Sequence, residues 1–251
     1  MADVEDFTVV ELGAGRGEMA EALGEFRYVP VEIGAGALPD RIRGVVFANE
    51  FFDSLPVEVA VMRDGRAREL QVGFRDERFT WVEGGTASEE VDCYRKEYLR
   101  TLTEGHIFEV GLKSLEWLER IVSALDAGYV FSIDYGYTAA EMVLFPAGTL
   151  MSYRRHQALG DVLNDPGEQD ITAHVCFSAL EIFGRRVGLE TIALEPMGRT
   201  LIEAGEADQF ARALAAEQPG EEQRRRLQLK QLLFGMGETF RTLMQRKGRE
   251  K

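Results

Sequence analysis

An α/β fold is predicted, with a largely parallel sheet, an inserted antiparallel ribbon and a helical C-terminal cover, and three observations predict it. Short runs dominated by apolar residues, Phe7 to Leu12, Gly44 to Ala48 and Tyr129 to Ile133, read as strands buried within a parallel sheet. Helical spacing recurs between them. From Pro56 the period changes to short alternating runs separated by turn residues, which marks an antiparallel insertion.

Taken in order, the strand Phe7 to Leu12 runs into a glycine-rich turn, and Glu18 to Phe26 carries Met19, Leu23 and Phe26 on one helical face. A second strand, Tyr28 to Ile33, contains the acid Glu32 near its end, and a third, Gly44 to Ala48, ends in Asn49 and Glu50. The ribbon follows as Val57 to Arg63, a turn at Asp64-Gly65, Ala67 to Val72 and Arg78 to Glu83. Glu89 to Leu102 is a predicted helix, Ile107 to Val110 a short strand, and Leu112 to Leu125 an amphipathic helix facing inward through Leu115, Leu118, Ile121, Val122 and Leu125. The strand Tyr129 to Ile133 ends in Asp134-Tyr135-Gly136-Tyr137. Phe145 to Ala173 is rich in Gly, Pro, Asp and Asn, the composition of a lid or substrate wall. Helices over His174 to Val187 and Glu203 to Glu217, a strand at Leu189 to Glu195, a break at Pro219-Gly220, a charged helix Glu221 to Phe234 and a last strand Thr239 to Gln245 complete the chain. One domain over residues 1–251 is expected, with 57–104 as the inserted ribbon and helix.

Composition narrows the function classes. The 251 residues hold 29 Lys plus Arg against 43 Asp plus Glu, a net charge of −14 that repels phosphate backbones and anionic membranes. Nucleic acid is therefore not an expected partner, and the clusters Arg154-Arg155 and Arg224-Arg225-Arg226 read as solvated faces. No apolar run has the length of a membrane span. The two cysteines, Cys93 and Cys176, are too few for a disulfide framework, and the N-terminus has no signal-peptide pattern, so a reducing, cytoplasmic setting is expected.

The chemistry is expected at the strand ends. Glu11-Leu12-Gly13-Ala14-Gly15-Arg16-Gly17 combines a tight turn with bare backbone that a ligand can approach. A dinucleotide loop, G-x-G-x-x-G, requires Gly or Ala where this chain has Glu18, and that carboxylate opposes a pyrophosphate. The observed E-x-G-x-G-x-G resembles the first motif of class I S-adenosylmethionine (SAM) methyltransferases, whose cofactor is a sulfonium cation. Glu32 suits the hydroxyls of a ribose in either nucleotide class, with Ile33 beside it. Asn49 and Glu50 lie at the end of the third strand, where ligands sit in open parallel sheets; a carboxylate there can grip a guanidinium through paired hydrogen bonds, or serve only as a helix-start acid. Asp53 reads equally as a cap. The spacing of Asp170 and His174 could place both on one helix face, but the other ligands of a metal site are lacking, so no metal is expected. Tyr135 and Tyr137 suit either stacking on a cation or simple packing.

A narrower resemblance follows from the run Gly44-Val45-Val46-Phe47-Ala48-Asn49-Glu50-Phe51-Phe52-Asp53-Ser54-Leu55-Pro56-Val57, which is similar to the signature of the MidA-like methyltransferases. Ile133-Asp134-Tyr135-Gly136-Tyr137, Gly148-Thr149-Leu150 with Tyr153 and His156, Asp170-Ile171-Thr172-Ala173-His174-Val175 with Phe177, and Met236-Gly237-Glu238 with Phe240 continue it in family order. The family includes a mitochondrial factor that dimethylates an arginine of a respiratory complex I subunit. The resemblance implies a Rossmann-like class I methyltransferase sheet, SAM as cofactor and a protein arginine as acceptor, with complex I assembly as the setting. It implies Glu11, Gly13, Ala14, Gly15, Gly17, Glu32, Ile33 and Asn49 on the cofactor and Glu50, Asp53, Asp134, Tyr135 and His174 on the substrate side. The expected partner is a basic, arginine-bearing protein segment, and a homodimer stays open. Family members carry a further N-terminal segment, whereas only Met1 to Val10 precede Glu11 here, and the late strand is followed by Glu195-Pro196-Met197-Gly198 in place of a glutamine-containing stretch. The rival expectation is a scaffold that keeps the fold with little or no turnover.

Overall fold

The computed structural model describes residues 7–34, 36–154, 157–159, 161–215 and 220–248. The chain forms two compact units. The first comprises 1–49, 125–136 and 189–251, and the second 50–124 and 137–188.

The first unit begins with β1 (Thr8–Leu12), β2 (Arg27–Val31) and β3 (Ile42–Asn49), with β1 between the other two and parallel to both. All of β1 is buried, which is why Val9, Val10 and Leu12 form an apolar run. The predicted helix Glu18 to Phe26 is reduced to a 3₁₀ turn, Glu18–Ala20, none of whose residues is buried. Gly24 interrupts the run and Phe26 stays exposed, so the apolar stripe gains too little packing to hold so short a helix.

The second unit opens with the antiparallel strands β4 (Glu58–Arg63), β5 (Arg66–Arg75) and β6 (Arg78–Thr86), the predicted ribbon. Helix α1 (Glu89–Tyr98) is capped by Ser88, whose hydroxyl accepts from the Val91 N–H at 3.3 Å. Strand β7 (Ile107–Val110) then pairs with β4, giving a sheet ordered β6-β5-β4-β7. Helix α2 (Leu112–Ala124) buries Leu118, Ile121 and Val122 as predicted and Trp117 besides, while Leu115 is half-buried and Leu125 opens the next strand.

Strand β8 (Leu125–Tyr137) is much longer than the predicted Tyr129 to Ile133 and absorbs both tyrosines expected beyond its end. Up to Gly136 it belongs to the first unit, where it runs parallel to β3. Strand β3 lies close to both β1 and β8. A Cβ on Gly44 would stand 2.0 Å from the Thr8 carbonyl oxygen and one on Gly128 1.9 Å from that of Gly44, so both positions require glycine.

In the second unit, the Gly- and Pro-rich stretch Phe145 to Ala173 contains a small sheet of β9 (Met151–Arg154), β10 (Gln157–Leu159) and β11 (Asp170–Thr172), ordered β10-β9-β11. The short β12 (Val175–Cys176) leads into α3 (Phe177–Arg186). The predicted helix over His174 to Val187 therefore starts three residues later, and Asp170 and His174 do not share a helix face. The core of this unit gathers Tyr94, Tyr98, Phe108, Tyr137, Met142 and Cys176.

The first unit closes with β13 (Glu190–Pro196), α4 (Met197–Glu206), α5 (Ala211–Leu214), α6 (Glu221–Gln231) with a π-helical turn at Leu232–Met236, α7 (Gly237–Thr239) and β14 (Phe240–Lys247). The predicted helix Glu203 to Glu217 thus starts earlier and breaks at Phe210, which adopts a left-handed conformation. The sheet order is β13-β14-β8-β3-β1-β2, with β14 antiparallel to both of its neighbours. Arg155, His156, Glu217 and Pro219, each part of a prediction above, lie outside the described residues.

Candidate functional site

Strand β1 connects to β2 on one side, and the chain then returns to place β3 on the other. The boundary between β1 and β3 is therefore the switch point of the parallel sheet, and the crevice beyond the carboxyl ends is where such sheets bind ligands. Register fixes what stands there. Val31, Leu12, Ala48 and Ser132 form the last paired row across β2, β1, β3 and β8. The residues that follow them in sequence are Glu32, Gly13, Asn49 and Ile133. Three of these four were expected on the cofactor from sequence alone.

Gly13, Gly15 and Gly17 all adopt positive φ, 68°, 55° and 68°. A Cβ at Gly15 or Gly17 would meet nothing within 4 Å, so the loop lies open to an approaching molecule. Ala14 between them is buried. The Gly15 N–H donates to Glu32 Oε1, which ties the end of β2 to the loop. A carboxylate has room for about four hydrogen bonds, so this one leaves Glu32 capacity for two hydroxyls. Ile33 beside it is half exposed.

Behind the loop, Glu11 is buried and accepts from the Tyr28 hydroxyl. Desolvation, that hydrogen bond and the charges of Glu11 and Glu32 push the Tyr28 phenol up to about 12. The field at these strand ends is thus negative. A pyrophosphate would meet two carboxylates, a Gly15 amide already donating to one of them, and a three-residue 3₁₀ turn without the dipole of a long helix. A cationic nucleoside with a free ribose fits the same groups.

Asp134, one residue past Ile133, is wholly buried, opposite Arg241 in the β14 register. Tyr135 packs its ring on Phe240 with centroids 3.8 Å apart. Both belong to the first unit, as does Asn49.

The other expected substrate-side residues lie in the second unit. Glu50 is exposed and held at φ 49°, a left-handed conformation that costs a non-glycine residue about 1–3 kcal/mol and persists only where its surroundings impose it. Asp53 is buried, and its carbonyl accepts from the Ala173 N–H at 3.0 Å, so the segment before His174 is fastened to the segment after Glu50. The His174 N–H donates to Thr149 Oγ1 at 3.1 Å, and its ring meets Phe145 edge-on at 5.4 Å. Burial lowers the pKa of His174, which favours the neutral imidazole. Tyr137 is enclosed in the core. Burial pushes the Cys176 thiol up to about 11, which leaves it a poor nucleophile.

Residues 27–194 match the family described as "Putative S-adenosyl-L-methionine-dependent methyltransferase". The chain belongs to that family. Its cofactor is S-adenosyl-L-methionine. A Burkholderia thailandensis protein described as a "likely methyl transferase", solved with S-adenosyl-homocysteine bound, is similar over 98% of this chain and 72% of its own, at 28% identity and a TM-score of 0.82. A second structure from that organism, described as an uncharacterized protein of the same superfamily, covers 98% of this chain and 75% of its own at 26% identity and a TM-score of 0.81. No curated protein matches the chain. Among the described residues, no helix of this methyltransferase is long and apolar enough to cross a membrane.

Sequence reading missed two groups. Tyr28 is visible only once parallel register sets it diagonally from Glu11. Glu109 is wholly buried in the second unit and accepts from the Thr149 N–H and hydroxyl, both at 2.8 Å, and from the Leu150 N–H at 3.3 Å. The signal was a lone acid inside the apolar strand Ile107 to Val110.

Proposed function

We propose that this methyltransferase is MidA-like and modifies a nitrogen of a protein arginine, in the setting of respiratory complex I assembly that the sequence resemblance implies. The observation that carries the reading is Glu50, an exposed carboxylate in a strained left-handed conformation, joined to Asn49 at the carboxyl end of β3. A carboxylate pairs with a guanidinium through two parallel hydrogen bonds, a geometry that fixes the plane of the acceptor nitrogen. The net charge of −14 favours the approach of a basic segment.

In this reading Glu32 holds the ribose, Gly13, Ala14, Gly15 and Gly17 admit the cofactor against bare backbone, and Glu11, fixed by Tyr28, faces its amino-acid end with Asn49. When bound, S-adenosyl-L-methionine supplies an activated methyl group and leaves as a neutral thioether, so no residue need protonate a leaving group. Glu50 would orient the acceptor nitrogen, which releases its proton to solvent as the N–C bond forms, and the gain is positional and electrostatic. The sequence resemblance also implies Asp53, Asp134, Tyr135 and His174 on the acceptor side.

Calorimetric titration with SAM and S-adenosyl-homocysteine, with NADH as control, followed by mass spectrometry of an arginine-rich protein mixture incubated with SAM, tests this. Saturable sulfur-ligand binding and methylarginine are expected. Glu50→Gln should bind SAM within about twofold of the parent yet lose at least about a hundredfold in transfer rate. Binding without any methylarginine would remove the arginine reading and leave the scaffold.

A further inference from the structure

The ribbon of the second unit carries an apolar strip on one face. Antiparallel register sets Val72 opposite Trp81 and Phe74 opposite Phe79, and opposed residues share a face. Leu70, two residues before Val72, continues the strip. It is not a core face. Val72 is 52% exposed, Phe74 66%, Phe79 40% and Trp81 38%, with the Phe74 and Phe79 rings in edge contact at 5.4 Å.

At its inner end the strip borders two adjoining recesses of about 300 and 260 Å³. Val59, Trp81, Leu150 and Val162 line both. The walls are otherwise apolar except for a few hydroxyls and two carboxylates, Glu109 and Asp161, and among the described lining residues there is no Lys or Arg. Glu109 is committed to Thr149 and Leu150. Asp161 is exposed and held in place because its Oδ1 accepts from the Leu163 N–H at 2.9 Å. An aromatic ring with a fixed carboxylate beside an apolar trough is a receptor for a cation flanked by apolar groups.

We propose that this trough docks an extended segment of the protein substrate in which apolar residues flank one basic side chain, the apolar residues on Val72, Trp81 and Ile171 and the cation between the Trp81 ring and Asp161. The proposal rests on the reading of a basic protein as substrate. Charge complementarity selects this occupant: among the described lining residues both charged groups are acidic, on a molecule of net charge −14. Extended backbone suits it because alternate side chains then point into the trough.

The probe is a capped nine-residue peptide of alternating valine and serine with a central arginine, compared with the same peptide carrying glutamine or glutamate there. Calorimetry on the full chain should give saturable binding of the arginine peptide. Trp81→Ser and Val72→Ser, each checked to keep the circular dichroism spectrum and melting temperature of the parent, should each weaken it at least about tenfold with SAM affinity unchanged. Asp161→Asn should abolish the preference for arginine over glutamine. Equal affinity in Trp81→Ser, or a glutamate peptide bound as tightly as the arginine one, overturns the proposal. So does a dimer that Trp81→Ser converts to a monomer, which would give the strip to a second copy. Failure of the two readings is separable. Methylation of an arginine protein with an unchanged KM in Trp81→Ser removes the trough alone, whereas peptide binding lost in Trp81→Ser with no arginine methylated supports the trough and removes the acceptor.

Discussion

Glu32 and Glu109 are both carboxylates at or within short strands, and their surroundings suit them to opposite uses. Glu32 stands half exposed beyond the last paired row of the first unit, held by a single N–H on an open glycine loop. Glu109 is buried inside the second unit and receives two N–H groups and a hydroxyl. Its burial raises its pKa, and those donors offset only part of the rise. A carboxylate whose hydrogen-bonding capacity is filled by its own chain is a structural fastening, and one left accessible with capacity to spare is available to a ligand.

Substitution should separate the two most sharply at Glu109. Glu109→Ala strands the Thr149 and Leu150 donors in the interior, and at 1–3 kcal/mol for each unsatisfied buried group the loss is about 3 kcal/mol or more, read as a lower denaturant midpoint with an unchanged slope. A loss under about 1 kcal/mol would break the contrast. The converse variant, Glu32→Ala, should leave stability within about 0.5 kcal/mol of the parent and weaken SAM about 10–100-fold by calorimetry, the value of hydrogen bonds to a charged group. An equal loss of stability in both variants would mean that Glu32 too is a fastening.

Acidity gives the smallest effect. A buried carboxylate with a raised folded-state pKa holds its proton more tightly than the unfolded chain does, so its contribution is fully present below its ordinary value, near 4.5, and is lost as pH rises through the raised one. The stability of the parent relative to Glu109→Gln should therefore increase as pH falls from 7 toward 4.5. A difference that is flat or falls over that window would show that the three donors outweigh burial.

Much of the first unit was legible in the sequence. The parallel strands, the glycine loop and the acid near the end of β2 announce themselves locally, because apolar runs, positive-φ turns and strand-end polarity are properties of neighbouring residues. The ribbon was legible for the same reason. The helix expected at Glu18 to Phe26 failed because a short amphipathic stretch becomes a helix only if something covers its apolar face, and a stripe by itself does not say whether anything does. The spacing of Asp170 and His174 fits a helix and a loop alike, and only the structure shows Asp170 in β11 and His174 ahead of α3.

The sequence by itself determined the fold class, the strands of the parallel sheet, the glycine loop with Glu32, and through its motifs the SAM-dependent family. Only the tertiary structure decided which acids are filled by donors of their own chain and which stay accessible, that Tyr28 holds Glu11, that Gly44 and Gly128 are fixed by close strand contact, and that Val72, Phe74, Phe79 and Trp81 share an exposed face. The physical reason is that burial, register and hydrogen-bond saturation are set by partners distant in sequence, and no local pattern encodes which partner arrives.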